Sequence, residues 1–325
     1  SWATPKWVGE PVGTVTAVTP QMIRARLSEP IANYGYKDME RPAYNGFWRR
    51  FDLEHNFPEI AGRKIVAYFD VNVPASRKVE LRVALSGVST EGALKNLRAE
   101  ASGRSFDEIA AATAADWEEK LSIIDAQGTQ DQLAMFYTSL YHTMINPSVY
   151  MDVDGQYRGL DHNIHQADGF TNYTVFSIWD TFRAEHPLMN LLFPDRSADM
   201  VQSLLAHQQQ SVHHMLPIWS HMGNENWCMI GYHGVSVVGD ALTKGVCSDS
   251  SRAFKAMDET ANCPYYESMA DYLKYGYVPF DRNGSAVSVT LEYAYDDWCL
   301  YQQARRMGND AKAREYRRRA MSYQN

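Results

Sequence analysis

The spacing of apolar residues changes along this chain, and that change limits the possible folds. Over residues 78–85, Val79, Leu81, Val83 and Leu85 alternate with less apolar residues, as in a strand with one face on a core. Beyond Gly103, apolar residues recur at steps of three and four, as on one face of a helix. We therefore predict a β region from residue 12 to about 100, followed by helices.

Shorter runs with β character also occur in the first region, and prolines fall between them, where strands tolerate proline. These runs are residues 13–18, 22–27 and 65–69. Roughly four to six strands of this kind are typical of part of an antiparallel sandwich.

Two capping boxes mark helix starts, Ser105 with Glu108 and Thr129 with Gln132. In this motif each side chain satisfies a free backbone N–H of the other residue. Gly245 is a plausible helix end, as is Gly308. Helical spacing predicts further helices at 178–193, 196–213, 234–244, 250–261, 291–307 and 310–324.

The chain is long enough for two domains, because 325 residues exceed the size at which single cores usually stop growing. We predict part of a β-sandwich at 1–103, a linker helix at 104–127 and helical hairpins at 128–325. A closed ring of six hairpins needs about twelve helices of roughly 10–14 residues each. About eight helices would therefore form only part of such a ring.

Composition excludes some classes of protein. A net charge of -8 argues against nucleic-acid binding, which usually needs a basic face. No apolar run approaches the ~18 residues of a membrane helix. The four cysteines form no C-x-x-C motif, so zinc or thioredoxin-like chemistry is disfavoured. Twenty Tyr and eight Trp mildly favour a sugar ligand, although large cores also use aromatics.

The first candidate site is the pair Trp179 and Asp180. An indole ring can stack on a pyranose, and a carboxylate accepts hydrogen bonds from sugar hydroxyls. The alternative is that Asp180 caps the next helix and pairs with Arg183.

The second candidate is the stretch 221–233, which packs polar groups, a Trp and two Gly into a loop-like composition and includes Asn224 and Glu225. Loops on rigid scaffolds often carry binding residues. Four histidines here or nearby could ligate a metal, but a hydrogen-bonded structural histidine is the commoner outcome. They are His213, His214, His221 and His233.

The third candidate is the acidic pair Glu292 and Asp296, which lie four residues apart and so share one helix face. Like charges there are destabilising unless a ligand or cation compensates them. A raised carboxylate pKa would suit general acid catalysis. The alternative is a helix capped by Thr290 with acids in its first turns, where the dipole favours them.

Several runs, taken in order, resemble glycoside hydrolase family 92. They are STEGALKNL (89–97), FYTSLYH (136–142), DVDGQYR (152–158), WDTFR (179–183), CMIG (228–231) and TLEYAYDDW (290–298). The resemblance implies a multidomain β plus α protein, with part of an N-terminal antiparallel β-sandwich followed by part of an (α/α)6 barrel. It also implies calcium-dependent, inverting removal of terminal α-mannose, with Asp180 and Trp179 at the position that holds the mannose.

The family's catalytic acid and its calcium ligands belong to motifs of the types EGNAWQ, HGNEP and GNED, and none of these occurs here. We therefore expect a partial chain that lacks turnover on its own. We expect no catalytic residue in this sequence, and Glu292 is the one candidate if that expectation fails. We also expect no metal ligands in this sequence, so that calcium binds to other parts of the protein. The expected substrate contacts are Trp179, Asp180, Asn224 and Glu225.

The resulting hypothesis is an exo-α-mannosidase part acting on mannosides or N-glycans, with α-1,2 linkages favoured. We expect a mannose-containing glycan as partner, no nucleic acid and no membrane span. We also expect a periplasmic, cell-surface or secreted location, and the oligomeric state stays open. The rivals are another (α/α)6 glycosidase with Glu292 as its acid, or a non-catalytic carbohydrate-binding or scaffold fragment.

Overall fold

The computed structural model describes residues 81–325 and, before them, the backbone of six strands. These strands are β1 (Ala3–Trp7), β2 (Gly13–Thr19), β3 (Met22–Leu27), β4 (Asn33–Asp38), β5 (Glu59–Ala61) and β6 (Ile65–Asp70), and β7 (Leu81–Leu85) follows them. The strands predicted at 13–18, 22–27 and 65–69 are confirmed. For the run at 78–85, the strand is confirmed from Leu81, and residues 78–80 lie outside the described residues.

The described strands pair as two antiparallel sheets. One has the order β5-β3-β2-β1-β7, and the other is the pair β4-β6. In the larger sheet, Ala3 lies opposite Leu85 and Trp7 lies opposite Leu81. This pairing places the first described strand beside the last one in the β region.

The prediction of β structure up to about residue 100 is wrong, because α1 occupies Thr90–Glu100. Ser89 caps this helix by accepting a hydrogen bond from the Gly92 N–H, and Ala93 and Leu97 share its buried face. These apolar residues are four apart, which is a helical period.

Both capping boxes are confirmed, at the starts of α2 (Phe106–Leu121) and α3 (Gln130–His142). The Ser105 N–H donates to Glu108 Oε2 at 2.7 Å, and the Thr129 N–H donates to Gln132 Oε1 at 2.9 Å. Within the described part of the chain, no residue of α2 is buried, although its sequence predicts an apolar face.

The remaining chain forms short hairpins and a series of helices. The short strands are β8 (Ser148–Val149), β9 (Gln156–Arg158), β10 (Ile164–Gln166), β11 (Tyr173–Thr174), β12 (Ser220–His221) and β13 (Asn224–Glu225). The helices are α4 (Ile178–Thr181), α5 (Glu185–Leu192), α6 (Pro194–Gln210), α7 (Gly234–Thr243), α8 (Ser250–Ala261), α9 (Met269–Tyr275), α10 (Ala286–Arg306) and α11 (Asp310–Arg319), closed by a 3-10 helix (Ala320–Gln324).

The predicted helices are present with four differences, one of which is that the helix predicted at 310–324 is α-helical only as far as Arg319. The helix predicted at 178–193 is two helices, α4 and α5. The helix predicted at 291–307 begins earlier, so Thr290 lies inside α10 instead of capping it, and its hydroxyl donates to Ala286 O at 2.8 Å. Helix α9 was not predicted. Gly245 and Gly308 follow helices with φ of 75° and 69°, as expected for helix ends.

The chain divides into two compact units. Residues 1–118 and 152–154 form one unit, and residues 119–151 and 155–325 form the other. The three-part division at 1–103, 104–127 and 128–325 stays a prediction. No helix in the described residues is long and apolar enough to cross a membrane.

In the first unit, the buried carboxylate of Asp152 accepts hydrogen bonds from Ser86 Oγ at 2.7 Å and Asn96 Nδ2 at 2.9 Å. These bonds hold the segment 152–154 against the strand β7 and the helix α1. Its sequence resembles the start of a calcium loop, but the Asp152 oxygens bind side chains of the protein. Residues 153 and 154 form a turn.

The core of the second unit is built by residues of α6, α7, α8 and α10. It includes Leu204, Leu205, Val235, Val238, Met257, Val289 and Leu300, all fully buried. This packing fixes α7 against α10, and the candidate site lies on that pair of helices.

Candidate functional site

The three stretches identified in the sequence meet in the second unit. The backbone N–H groups of Val175 and Phe176 both donate to Ser220 O at 3.1 Å. The Tyr232 N–H donates to Asp296 Oδ2 at 2.7 Å. The hairpin β12–β13 therefore adjoins the segment before α4, and the loop before α7 adjoins α10.

His233 occupies the centre of this junction, directly before α7. Its Nδ1 lies 2.8 Å from Asp296 Oδ1, and its Nε2 lies 2.9 Å from Glu292 Oε2. The second contact brings the charged groups together, but its angle is poor for a hydrogen bond. The ring of Phe182 stacks on the imidazole with centroids 3.9 Å apart and planes 13° apart. Because only 2% of His233 is exposed, its ring has a fixed direction.

Asp296, His233 and Glu292 form a triad in which each charge affects the ionisation of its neighbours. Burial alone would lower the pKa of His233, but Asp296 and Glu292 overcome that effect and raise the pKa to about 9. The contact with His233 in turn lowers the pKa of Glu292, and burial opposes it only in part. Compensation by a ligand or cation was one of the two alternatives for two acids on one helix face, and the compensating cation is His233.

Glu292 also faces a cavity of about 680 Å³ between α7, α10 and the end of α4. The size is within the range of small-ligand sites. Its lining is mixed in polarity and comprises Phe182, Arg183, Pro187, Ser236, Gly239, Asp240, Thr243, Glu292, Tyr295, Trp298, Cys299, Gln302, Gln303 and Arg306.

Trp179 and Arg183 flank the Glu292 side of this cavity. The Arg183 guanidinium lies 5.3 Å from the Trp179 ring centroid and 4.7 Å from that of Phe182. The buried Trp179 Nε1 makes no hydrogen bond of good geometry, yet it is near enough to Glu292 to help lower the pKa of that carboxyl. Of the predicted site residues, the structure thus brings Trp179 and Glu292 together.

Asp180 is exposed and lies within α4, where its carboxylate accepts a hydrogen bond from the Ser177 hydroxyl. It is not at the capping position that the alternative interpretation required, and no ion pair joins it to Arg183 among the described residues.

Asn224 and Glu225 form the hairpin strand β13 and have different environments. Asn224 is exposed, and its Oδ1 lies 3.1 Å from His162 Nε2. Glu225 is half-buried and accepts backbone N–H bonds from Ile218 and Trp219 at 2.8 Å and from Trp227 at 3.0 Å. Glu225 therefore organises the loop in addition to any contact with a ligand.

This loop holds three non-glycine residues in the left-handed region, Met222, Trp227 and Met229, with φ of 46°, 53° and 66°. Such backbone conformations persist only where surrounding contacts enforce them, and they concentrate at functional sites. The bond from the Trp227 N–H to Glu225 is one such contact.

The calcium implied by the family resemblance has no set of ligands here. Among residues 82–325, no three His, Cys, Asp or Glu side chains come together in a way that could hold a metal ion. The carboxylates of the triad are already paired with His233. The described residues therefore do not fit a calcium site, and no step is assigned to the ion.

Sequence reasoning missed the roles of three residues. His233 was considered as a metal ligand or, more commonly, a hydrogen-bonded structural histidine, but not as the partner of Glu292 and Asp296, and Arg183 only as a partner of Asp180. Glu185 was not singled out, although burial raises its pKa to about 7, with Arg196 opposing and Asp180 adding to the rise. His233 could have been found from the need for a cation beside Glu292 and Asp296. No sequence signal marks Glu185.

The comparisons with known proteins identify the family of this chain. A family model described as the glycosyl hydrolase family 92 catalytic domain matches residues 92–325. The chain belongs to glycosyl hydrolase family 92. A search of curated protein sequences found no match.

Solved structures of the family share the fold. The GH92 α-mannosidase BT3965 from Bacteroides thetaiotaomicron is 38% identical with a TM-score of 0.81, and the match covers 99% of this chain and 45% of that chain. The inverting mannosidase BT2199 from the same organism is 29% identical with a TM-score of 0.80, over 99% and 45% of the two chains. BT3965 was also solved in complex with mannoimidazole, with 38% identity, a TM-score of 0.80 and coverage of 99% and 44%. The chain thus spans less than half the length of these relatives.

Proposed function

We propose that this chain forms the sugar-holding part of an exo-acting α-mannosidase. The observation that carries the proposal is the cavity of about 680 Å³ with the Glu292 carboxylate in its wall and Trp179 and Arg183 beside that carboxylate. An aromatic ring, a carboxylate and a guanidinium together suit a pyranose, which has an apolar face and a rim of hydroxyls. The mannoimidazole complex of a relative supports mannose as the sugar.

Within this proposal, Trp179 stacks on the terminal mannose and Asp180 accepts hydrogen bonds from its hydroxyls. The exposure of Asp180 leaves its carboxylate accessible to a ligand. Asn224 and Glu225 contribute from the hairpin, Asn224 through its exposed amide. Glu225 acts mainly by fixing the loop, since its oxygens bind three backbone N–H groups.

The catalytic acid and the water-activating base are assigned to residues outside this sequence. An inverting mechanism needs one protonated carboxylic acid and one carboxylate, roughly 6.5–9.5 Å apart. Glu292 is poorly suited to the acid role, because its contact with His233 lowers its pKa. The calcium ligands are also assigned outside this sequence, and the inverting course is supported by the similarity to the inverting mannosidase BT2199.

The complete protein, in this proposal, joins an N-terminal β-sandwich to an (α/α)6 barrel. It releases terminal α-mannose, with α-1,2 linkages favoured, from mannosides or N-glycans outside the cytoplasm. The antiparallel sheets and the α4–α11 series support the two architectures. Linkage and location rest on the family resemblance alone.

The test is an assay of the purified 325-residue chain with α-mannobiosides, in the presence of calcium and of a chelator, alongside a binding measurement with methyl α-mannoside. We expect binding without hydrolysis in both conditions. Hydrolysis that disappears in Glu292→Gln would make Glu292 the acid and favour a different (α/α)6 glycosidase. Absence of any sugar binding would favour a scaffold role.

A further inference from the structure

The Glu292 carboxylate is in contact with a buried histidine before any ligand arrives. Its Oε2 lies 2.9 Å from His233 Nε2, and His233 is held from its other side by Asp296 and from its face by Phe182. Asp296 is itself buried and receives the Tyr232 backbone N–H. The residues in this series of contacts are buried except for Glu292, which lies in the wall of the cavity.

About a quarter of the Glu292 side chain is exposed, 24% by area, and the exposed part faces the cavity. A carboxylate is an acceptor only and can receive hydrogen bonds from two donors at once. Two neighbouring hydroxyls of a pyranose present two such donors at a matching spacing. A carboxylate that already contacts a buried neighbour loses less side-chain entropy when it binds such a pair.

We propose that Glu292 is a sugar-binding residue that accepts hydrogen bonds from two neighbouring hydroxyls of one ring, and that the Asp296–His233 pair positions it. Glu292 would add to the expected contacts Trp179, Asp180, Asn224 and Glu225. The inference rests on the proposed function for the identity of the sugar. The positioning by His233 stands on the geometry of the triad alone.

The charged and titratable groups around the triad come from three elements. Arg183, after α4, faces Glu292. Asp240 of α7 and Arg306 of α10 also line the cavity. Tyr295 lies with its ring centroid 6.1 Å from that of His233. In this setting His233 carries the cationic charge that faces both acids, and Arg183 adds to it on the cavity side.

A definite pH dependence follows. His233 should stay protonated from acid conditions up to a pH near its pKa of about 9. Glu292 should stay ionised down to a pH below the ordinary carboxyl range, since its pKa is lowered. Sugar binding should therefore have a plateau across neutral pH and fall as the pH rises through about 9.

The experiment uses the 325-residue chain and the variants Glu292→Gln and Asp296→Asn, with Glu259→Gln as a matched control outside the cavity. Nuclear magnetic resonance of the His233 ring gives its pKa without any sugar present. The affinity for methyl α-mannoside is measured across the pH range. Hydrogen bonds to a charged group contribute more to affinity than neutral ones, so Glu292→Gln should weaken sugar binding by about tenfold or more. Glu259→Gln should leave sugar binding unchanged.

Asp296→Asn should lower the pKa of His233 and move the alkaline fall of sugar binding to lower pH, an effect that simple loss of stability would not produce. Unchanged affinity in Glu292→Gln would overturn the sugar contact. An unchanged His233 pKa in both variants would overturn the positioning role. If the wild-type chain binds no sugar, the proposed function fails and the sugar contact fails with it, while the ring titration still decides the positioning.

Discussion

The Asp297 carboxylate and the Arg319 guanidinium form a buried two-point ion pair that joins α10 to the end of α11. Asp297 Oδ2 lies 3.0 Å from Arg319 Nε, and Oδ1 lies 2.8 Å from Nη2. The hydroxyls of Tyr232 and Tyr272 each donate to the same carboxylate at 2.8 Å. The pair is thus fully hydrogen-bonded, which is the condition under which buried ions are tolerated.

We expect Arg319→Met to destabilise the second unit by about 3–5 kcal/mol, because it leaves a buried carboxylate without its cation. Urea unfolding checks this prediction. The control is Arg318→Met, since Arg318 is its exposed neighbour and surface changes usually stay within about 0.5 kcal/mol. Equal unfolding midpoints for the two variants would contradict the role of the pair.

The shifted pKa of Glu185 predicts that the folding stability of the second unit depends on pH near neutrality. Burial raises its pKa to about 7, above the ordinary carboxyl value of about 4.3 in an unfolded chain. The folded state therefore favours the neutral form, and the stability this gives is present at low pH and lost as the pH rises through about 7. Glu185→Gln should raise the melting temperature at about pH 8 and leave it nearly unchanged at about pH 4. A gain of equal size at both values would argue against the shifted pKa.

In the first unit, Asp152 and Asp154 should respond differently to replacement by Ala. Removing the Asp152 carboxylate leaves the buried Asn96 amide without one acceptor, which costs about 1–3 kcal/mol. Asp154 pairs with an exposed Lys95 at 2.7 Å, a type of contact worth about 0–1 kcal/mol. Thermal unfolding of both variants, with and without added calcium, checks the difference. A stabilising effect of calcium that needs Asp152 would contradict a purely structural role for this carboxylate.

Glu225→Gln should loosen the loop that contains β12 and β13. The Glu225 carboxylate now accepts hydrogen bonds from the backbone N–H groups of Ile218, Trp219 and Trp227. The amide of Gln would place its own N–H donors against one or more of these groups. We expect faster hydrogen exchange across residues 218–227 with the helices unaffected. Asn224→Ala is the control, because the Asn224 side chain is exposed and accepts no backbone N–H in the described residues. Matching exchange rates in the two variants would mean that Glu225 does not organise the loop.

The local elements could be predicted from sequence where the signal itself is local. The boxes at Ser105 and Thr129, and glycines such as Gly245, mark helix ends through contacts within a few residues. Helix α1 was missed although Ser89 caps it, because the β period of the preceding strand was extended too far. The short hairpins were missed because two-residue strands carry no periodic pattern.

The site was only partly predictable, because its contacts join distant residues. The spacing of Glu292 and Asp296 indicated, as one of two alternatives, that a ligand or cation compensates the two acids, but nothing local showed that His233, about 60 residues earlier in the sequence, supplies that charge. The direction of the Glu292 pKa shift was also open, since it depends on that contact. The burial of Glu185 depends on its tertiary surroundings.

The most direct test follows the indole N–H signal of Trp179 by nuclear magnetic resonance while methyl α-mannoside is added to the 325-residue chain. Trp179→Phe assigns the signal, and methyl α-galactoside serves as the matched sugar control. We predict a saturable shift of the Trp179 signal with the mannoside, and a much weaker one with the galactoside, because the cavity beside Glu292 holds the sugar. No shift at millimolar mannoside, or equal shifts with both sugars, would contradict a mannose-binding site at Trp179.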